Sequence, residues 1–186
     1  TKAWLEDTLA GFAAQGFKCR PQFVRQPETE SDAVRLMLTV SGRTYQWNGS
    51  GYGYLKGLNL PDLVAAEVRS PGRLSEVAEE VHATQYLVCT NGQRDLCCAR
   101  FGLPVYAALK ERVGNRVWQV THLGGHRFAP NLLTLPDGCL YGRVGVEDLD
   151  AFLAATEQGK LAFAHLRGRT CYPPAAQAAE ALFGAD

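Results

Sequence analysis

Two cysteines and two histidines gathered in one part of the chain carry the vocabulary of a metal site. The run Cys89-Thr-Asn-Gly-Gln-Arg-Asp-Leu-Cys97-Cys98 is followed by His122-Leu-Gly-Gly-His126. Thiolates and neutral imidazoles together suit zinc, iron and iron–sulfur centres. The pair Gly124-Gly125 argues against a helical His-x-x-x-His of the zinc-protease kind, because adjacent glycines weaken a helix interior and favour a tight loop. A loop that folds two imidazoles onto one metal centre is expected instead. Cys97 and Cys98 present a choice, since neighbours on one chain usually point apart.

The elements that must position these residues can be read on either side of them. Between Ala3 and Ala14, Trp4, Leu5, Leu9 and Phe12 recur at helical spacing, with Gly16 where a C-terminal cap is wanted. Phe17 to Val24 and Val34 to Trp47 read as strands, with a hairpin at Ser41-Gly42-Arg43. The glycine-rich stretch from Gly49 to Gly57 is a poor phosphate cradle: its spacing matches neither nucleotide fingerprint, and Lys56 lacks a following Ser or Thr. It reads as a plain mobile loop before the amphipathic run Leu60 to Val68. Ser70-Pro-Gly-Arg73 is the expected boundary, dividing an α+β region, 1–72, from a second domain, 73–186. Beyond it the sequence predicts a short helix, Leu74 to Val81, and a buried strand, Gln85 to Val88, ending at Cys89. Pro104 stands at the first turn of a predicted helix with Val105, Leu109 and Val113 on its apolar face and Gly114 at its end. Strand Val117 to Val120 leads into the histidine loop. Leu132 to Leu135 and Leu140 to Val144 flank the turn Pro136-Asp137-Gly138. A helix from Glu147 to Thr156 follows, with Leu149, Phe152 and Leu153 inward, and a last helix runs from Pro173-Pro174 through Phe183. The order β-α-β-β-β-α is a thioredoxin-like layout in a mixed α/β sheet with flanking helices.

Composition bounds the function classes. Over 186 residues, 46% hydrophobic, the chain can bury a sizeable core. Lys+Arg and Asp+Glu both total 19 and the basic residues are dispersed, so the field needed to neutralise many phosphates is missing and nucleic acid is not an expected partner. No apolar stretch spans a bilayer and no leader precedes the first helix, so no membrane partner is expected; the start at Thr1 rather than Met is read as a trimmed, natively longer N-terminus. Six cysteines do not need to be staples in a chain of this size, and two are adjacent, which favours a reducing cytoplasm.

Residues 85–186 resemble the sucrase/ferredoxin-like family, and the stretch from Cys89 to Gly159 is similar to the thioredoxin-like [2Fe-2S] ferredoxins. The resemblance lies in Cys89-x8-Cys98, His122-Leu-Gly-Gly-His126-Arg-Phe-Ala-Pro, Leu135-Pro-Asp-Gly138 and Tyr141-Gly-Arg143-Val144; residues 1–84 offer no matching motif. Four-cysteine members carry Cys-x-x-x-Cys where this chain has His122 and His126. The resemblance is therefore to bis-histidinyl members, including fungal cytosolic and mitochondrial proteins, in which two Cys hold one iron and two His the other. It implies a [2Fe-2S] cluster on Cys89, Cys98, His122 and His126, one-electron transfer with a redox partner such as a reductase, as a carrier or as the electron-entry domain of an oxidoreductase, and no ligand role for Cys97. Each His in place of a Cys removes a negative charge, so the potential is expected above the all-cysteine range, as Rieske centres at roughly −150 to +300 mV stand above plant-type ferredoxins at about −400 mV. An imidazole on iron can also lose its outer proton, so proton coupling is expected. Arg94 and Arg127 flank the ligands and could bond sulfides or a partner's carboxylates.

Two other classes compete. A mononuclear Cys2His2 zinc site suits the same residue types, although the eight residues between Cys89 and Cys98 make a longer loop than a zinc knuckle. A thiol oxidoreductase could use Cys97 or Cys98 as nucleophile, but no Cys-x-x-Cys is present. No pair of carboxylates suggests glycoside hydrolysis. Cys19, Cys139 and Cys171 are expected outside the site, and His82 and His165, lacking partners at ligand spacing, are expected to be structural.

Overall fold

In the computed structural model, which describes residues 2–29, 32–93 and 96–183, the elements run α1 (Lys2–Ala14), β1 (Val24–Arg25), β2 (Ala33–Val40), β3 (Arg43–Ser50), α2 (Leu60–Arg69), β4 (Glu79–Val81), β5 (Gln85–Cys89), α3 (Leu96–Val113), β6 (Val117–Val120), β7 (Asn131–Leu135), β8 (Cys139–Gly142), α4 (Leu149–Thr156), β9 (Leu166–Arg169) and α5 (Pro174–Phe183). They form two units. One comprises Thr1–Pro21 and Thr29–His82, the other Gln22–Glu28 and Ala83–Asp186.

The first unit is a three-stranded antiparallel sheet, β2-β3-β4, with α1 and α2. Ser41 and Gly42, at φ 51° and 75°, make the two-residue turn that fixes the β2–β3 register from Val40↔Arg43, a left-handed geometry that matches strand twist. The core holds Phe12, Tyr45, Trp47, Leu60, Val64 and Leu74. Glu67 of α2 is also buried. Burial pushes its pKa up, but hydrogen bonds from the Leu74 and Gly72 amides and the Tyr45 hydroxyl, with Arg43 nearby, outweigh this and hold it below the ordinary carboxylate value.

Several expectations shift here. Residues 74–81 are not a helix: Leu74–Glu76 is a 3-10 turn and Glu79–Val81 pairs with Thr44–Gln46. With Leu74 fully buried in the first core, the division falls after His82 rather than after residue 72. Phe17 to Val24 is not a strand apart from its last residue, since only Val24 and Arg25 pair, and they do so with β6. The glycine-rich stretch is not a plain loop. It ends β3 and continues as a 3-10 turn, Gly53–Gly57, with Leu55 buried and the Tyr54 hydroxyl donating to the Val34 and Trp47 carbonyls.

The second unit holds a six-stranded mixed sheet in the order β1-β6-β5-β7-β8-β9. β5 and β6 run parallel, joined through α3, and the other neighbours are antiparallel. The succession β5-α3-β6-β7-β8-α4 is the thioredoxin-like order read from the sequence. All five residues of β5 are buried, as expected of a strand covered on both faces. Tyr86 and Val88 join Val105 and Leu109 of α3 and Leu149 and Phe152 of α4 in the core, where Phe152 meets Tyr141 edge-on at 4.9 Å between ring centroids. One helix differs from expectation: α3 begins at Leu96, eight residues before Pro104, which lies inside it.

Candidate metal centre

Parallel pairing brings the site together. Cys89, the last residue of β5, pairs with Val120, the last of β6, so both strands deliver their carboxyl ends to one edge, where ligands gather in open α/β sheets. His122 stands just beyond that end of β6. Cys98 comes from the first turn of α3. It reaches Cys89 because Gly102, one turn further on the same helix face, allows a close approach: a Cβ on Gly102 would overlap the Cys89 carbonyl oxygen.

The result is a compact trio. The Cys89 and Cys98 side chains are fully buried, and their Sγ atoms lie 4.0 and 3.9 Å from His122 Nδ1. The ligating atoms of all three residues fall within 4.8 Å of one another. Two thiols and an imidazole at such range can share a soft metal. His126 is exposed and is not in this group. It opens a 3-10 turn, His126–Phe128, and its carbonyl accepts from Cys97 Sγ at 3.6 Å. Thus Cys98 faces Cys89 and His122, while the half-buried Cys97 faces the histidine loop.

That loop is not helical. Gly124 and Gly125 take φ values of 92° and 71°, a left-handed conformation that Gly alone adopts without cost. Their carbonyls accept hydrogen bonds from Arg167 and Asn131, residues that sequence reasoning did not single out. Neither lies in a ligand motif. Arg127 is exposed, its guanidinium 5.1 Å from the Phe128 ring, and Arg94 lies outside the described residues.

The other candidates stand apart from the trio. Cys139 belongs to the hydrophobic core, and burial, with Asp137 nearby, pushes its thiol up to about 12. It is a protonated packing residue at neutral pH. Cys19 and Cys171 are exposed. His82 lies 3.9 Å from Glu80, and the more buried His165 lies 3.8 Å from Asp148.

Among known proteins, the sucrase/ferredoxin-like family profile matches residues 10–168. The match extends well into the region where no motif was recognised. No curated protein matches the chain. Among solved structures, a thioredoxin-like [2Fe-2S] ferredoxin from Aquifex aeolicus overlaps at TM-score 0.43 and 18% identity, over 50% of this chain and 97% of its own. A second structure of the wild-type ferredoxin gives 0.42 and 17%, over 48% and 100%.

Proposed function

Because the chain belongs to the sucrase/ferredoxin-like family, we propose that its second unit is an iron–sulfur electron-transfer domain, with a [2Fe-2S] cluster held by Cys89, Cys98, His122 and His126. The observation that carries this reading is the convergence of Cys89, Cys98 and His122 within 4.8 Å, with His126 on the same short loop. The donor set fits the group, since thiolates hold both irons of plant-type centres and imidazoles replace two of them in Rieske centres. Cys89 and Cys98 would hold one iron, and His122 and His126 the other. Such a centre, when bound, takes up and returns one electron.

The residues set the terms of that exchange. Burial of both thiols keeps water from the sulfur side, and neutral imidazoles lower the negative charge that reduction must overcome, raising the potential above the all-cysteine range. His126 is exposed, so with an iron on one ring nitrogen its other nitrogen would face solvent and would be the place where a proton accompanies the electron. The same exposure gives a redox partner protein, such as a reductase, its point of approach. A reducing compartment, the cytoplasm, belongs to this proposal because all six cysteines are unbridged.

A potential-versus-pH titration tests both parts. The wild type shows a reversible one-electron step whose midpoint falls as pH rises through the titration of the bound imidazole, and His126→Cys flattens that slope. A wild type with no reversible step excludes electron transfer, and a level potential across the alkaline range excludes the proton coupling.

One observation favours a second reading, a mononuclear zinc site. Zinc bonds of about 2.3 Å to sulfur and about 2.05 Å to nitrogen set those atoms about 3.6 Å apart at a tetrahedral centre. The separations of 3.9 and 4.0 Å are close to that value.

A further inference from the structure

The turn that carries both histidines is held from outside by two side chains. Asn131, at the start of β7, is fully buried. Its Nδ2 donates to the Gly125 carbonyl at 3.1 Å, and its Oδ1 accepts from Arg167 Nη1 at 2.8 Å. The same Nη1 donates to the Gly124 carbonyl at 3.1 Å. A buried amide and a half-buried guanidinium are costly to desolvate unless their hydrogen bonds are made. Here those bonds go to two successive carbonyls of a turn with left-handed geometry at both residues.

Three features of the backbone admit Arg167 to this place. Tyr141 pairs with Leu166 while Leu140 pairs with Gly168, so Arg167 is the extra residue of a bulge, a device that re-aims the side chain it carries. Gly142, opposite Asn131 on β8, leaves room for the arginine stem, since a Cβ there would lie 2.8 Å from Arg167 Cδ and 2.9 Å from Phe128 Cβ. Gly125 does the same for the head, where a Cβ would lie 2.6 Å from Arg167 Nη2. The guanidinium also lies 4.8 Å from the centre of the Phe128 ring, within cation–π range.

We propose that Arg167 and Asn131 are positioning residues of the metal centre: by holding the Gly124 and Gly125 carbonyls they fix the turn that sets His122 and His126 relative to Cys89 and Cys98. This rests on reading those four residues as metal ligands, but not on which metal they hold. Outer partners of metal ligands change affinity by about 10- to 100-fold when removed. Lysine replaces the arginine fork only in part, because its ammonium is a single point donor.

The test titrates Co2+ into the reduced, metal-stripped full chain, because the d–d absorption of bound cobalt reports ligand geometry whichever metal is native. Wild type binds Co2+ with thiolate charge-transfer and d–d bands. Arg167→Gln and Gly142→Ala weaken binding by about tenfold or more and shift the d–d bands, and Arg167→Lys restores part of both. Gly142→Ala removes no donor but crowds the arginine stem and Phe128, where the turn ends, so it separates placement from charge. Wild-type affinity and bands in both variants overturn the proposal. So does a loss of binding that tracks loss of the metal-free fold in both, by thermal unfolding, with no rescue by lysine. A wild type that binds no Co2+ overturns the ligand reading and the proposal with it, whereas a native zinc protein fails the cluster reading and still passes this test.

Discussion

Cys97 and Cys98 are chain neighbours with opposite surroundings. Cys98 is fully buried, 3.9 Å from His122 Nδ1, while Cys97 is half-buried and donates to the His126 carbonyl. A helix places successive side chains about 100° apart, so only one of them can face β5. Cys98→Ala is expected to abolish metal binding and Cys97→Ala to retain it, as measured by metal content per chain; the reverse result would move the ligand by one position. The residue types and their spacing made these candidates legible in the sequence, and so did the two glycines that argue against a helix between the histidines. Asn131 and Arg167 were not legible. Arg167 lies 43 residues beyond the carbonyl it holds, and it reaches there through a strand bulge that leaves no periodic trace.

At the scale of elements, the site depends on α3 lying against the end of β5. Gly102 is the point of closest approach, and a methyl group there meets the Cys89 carbonyl, a backbone atom that cannot swing aside. Gly102→Ala is expected to cost about 1–3 kcal/mol of stability through overpacking and to weaken metal binding by moving Cys98 away from Cys89. Chemical denaturation and metal titration check the two effects; unchanged values for both would show that α3 can shift without consequence. The buried strands β5 and β6 and the β7–β8 hairpin were readable, because apolar runs and the Pro-Asp-Gly turn carry their own local signal. The start of α3 was not, since Pro104 mimics a first-turn proline while packing against β5 supports the earlier turns. Residues 74–81 were misread for a related reason: the pairing of β4 with β3 is a tertiary contact, and an eight-residue window of mixed polarity does not reveal it.

For the whole molecule, the two units exchange chain. Gln22–Glu28 belongs to the second unit, where β1 covers the outer edge of β6 through Val24↔Val120 and Arg25↔Gln119. Arg25 adds a side-chain bond to Gln119 at 3.0 Å, and Gln26 donates to the Asn115 and Val117 carbonyls at 2.7 and 2.9 Å. A fragment cut at the turn of residues 70–73 lacks this cover and exposes a buried strand as an edge, the usual template for self-association. Residues 73–186 alone are expected to self-associate and to melt below the full chain, by light scattering and thermal unfolding; a monomeric fragment of equal stability would show β1 to be dispensable. Among the described residues no helix is long and apolar enough to cross a membrane.

A two-iron centre in the second unit is tested by the metal and sulfide content of the anaerobically purified full chain. The expected sample is red-brown, with about two iron and about two acid-labile sulfide per chain. A colourless protein holding one zinc and no sulfide would contradict the two-iron reading.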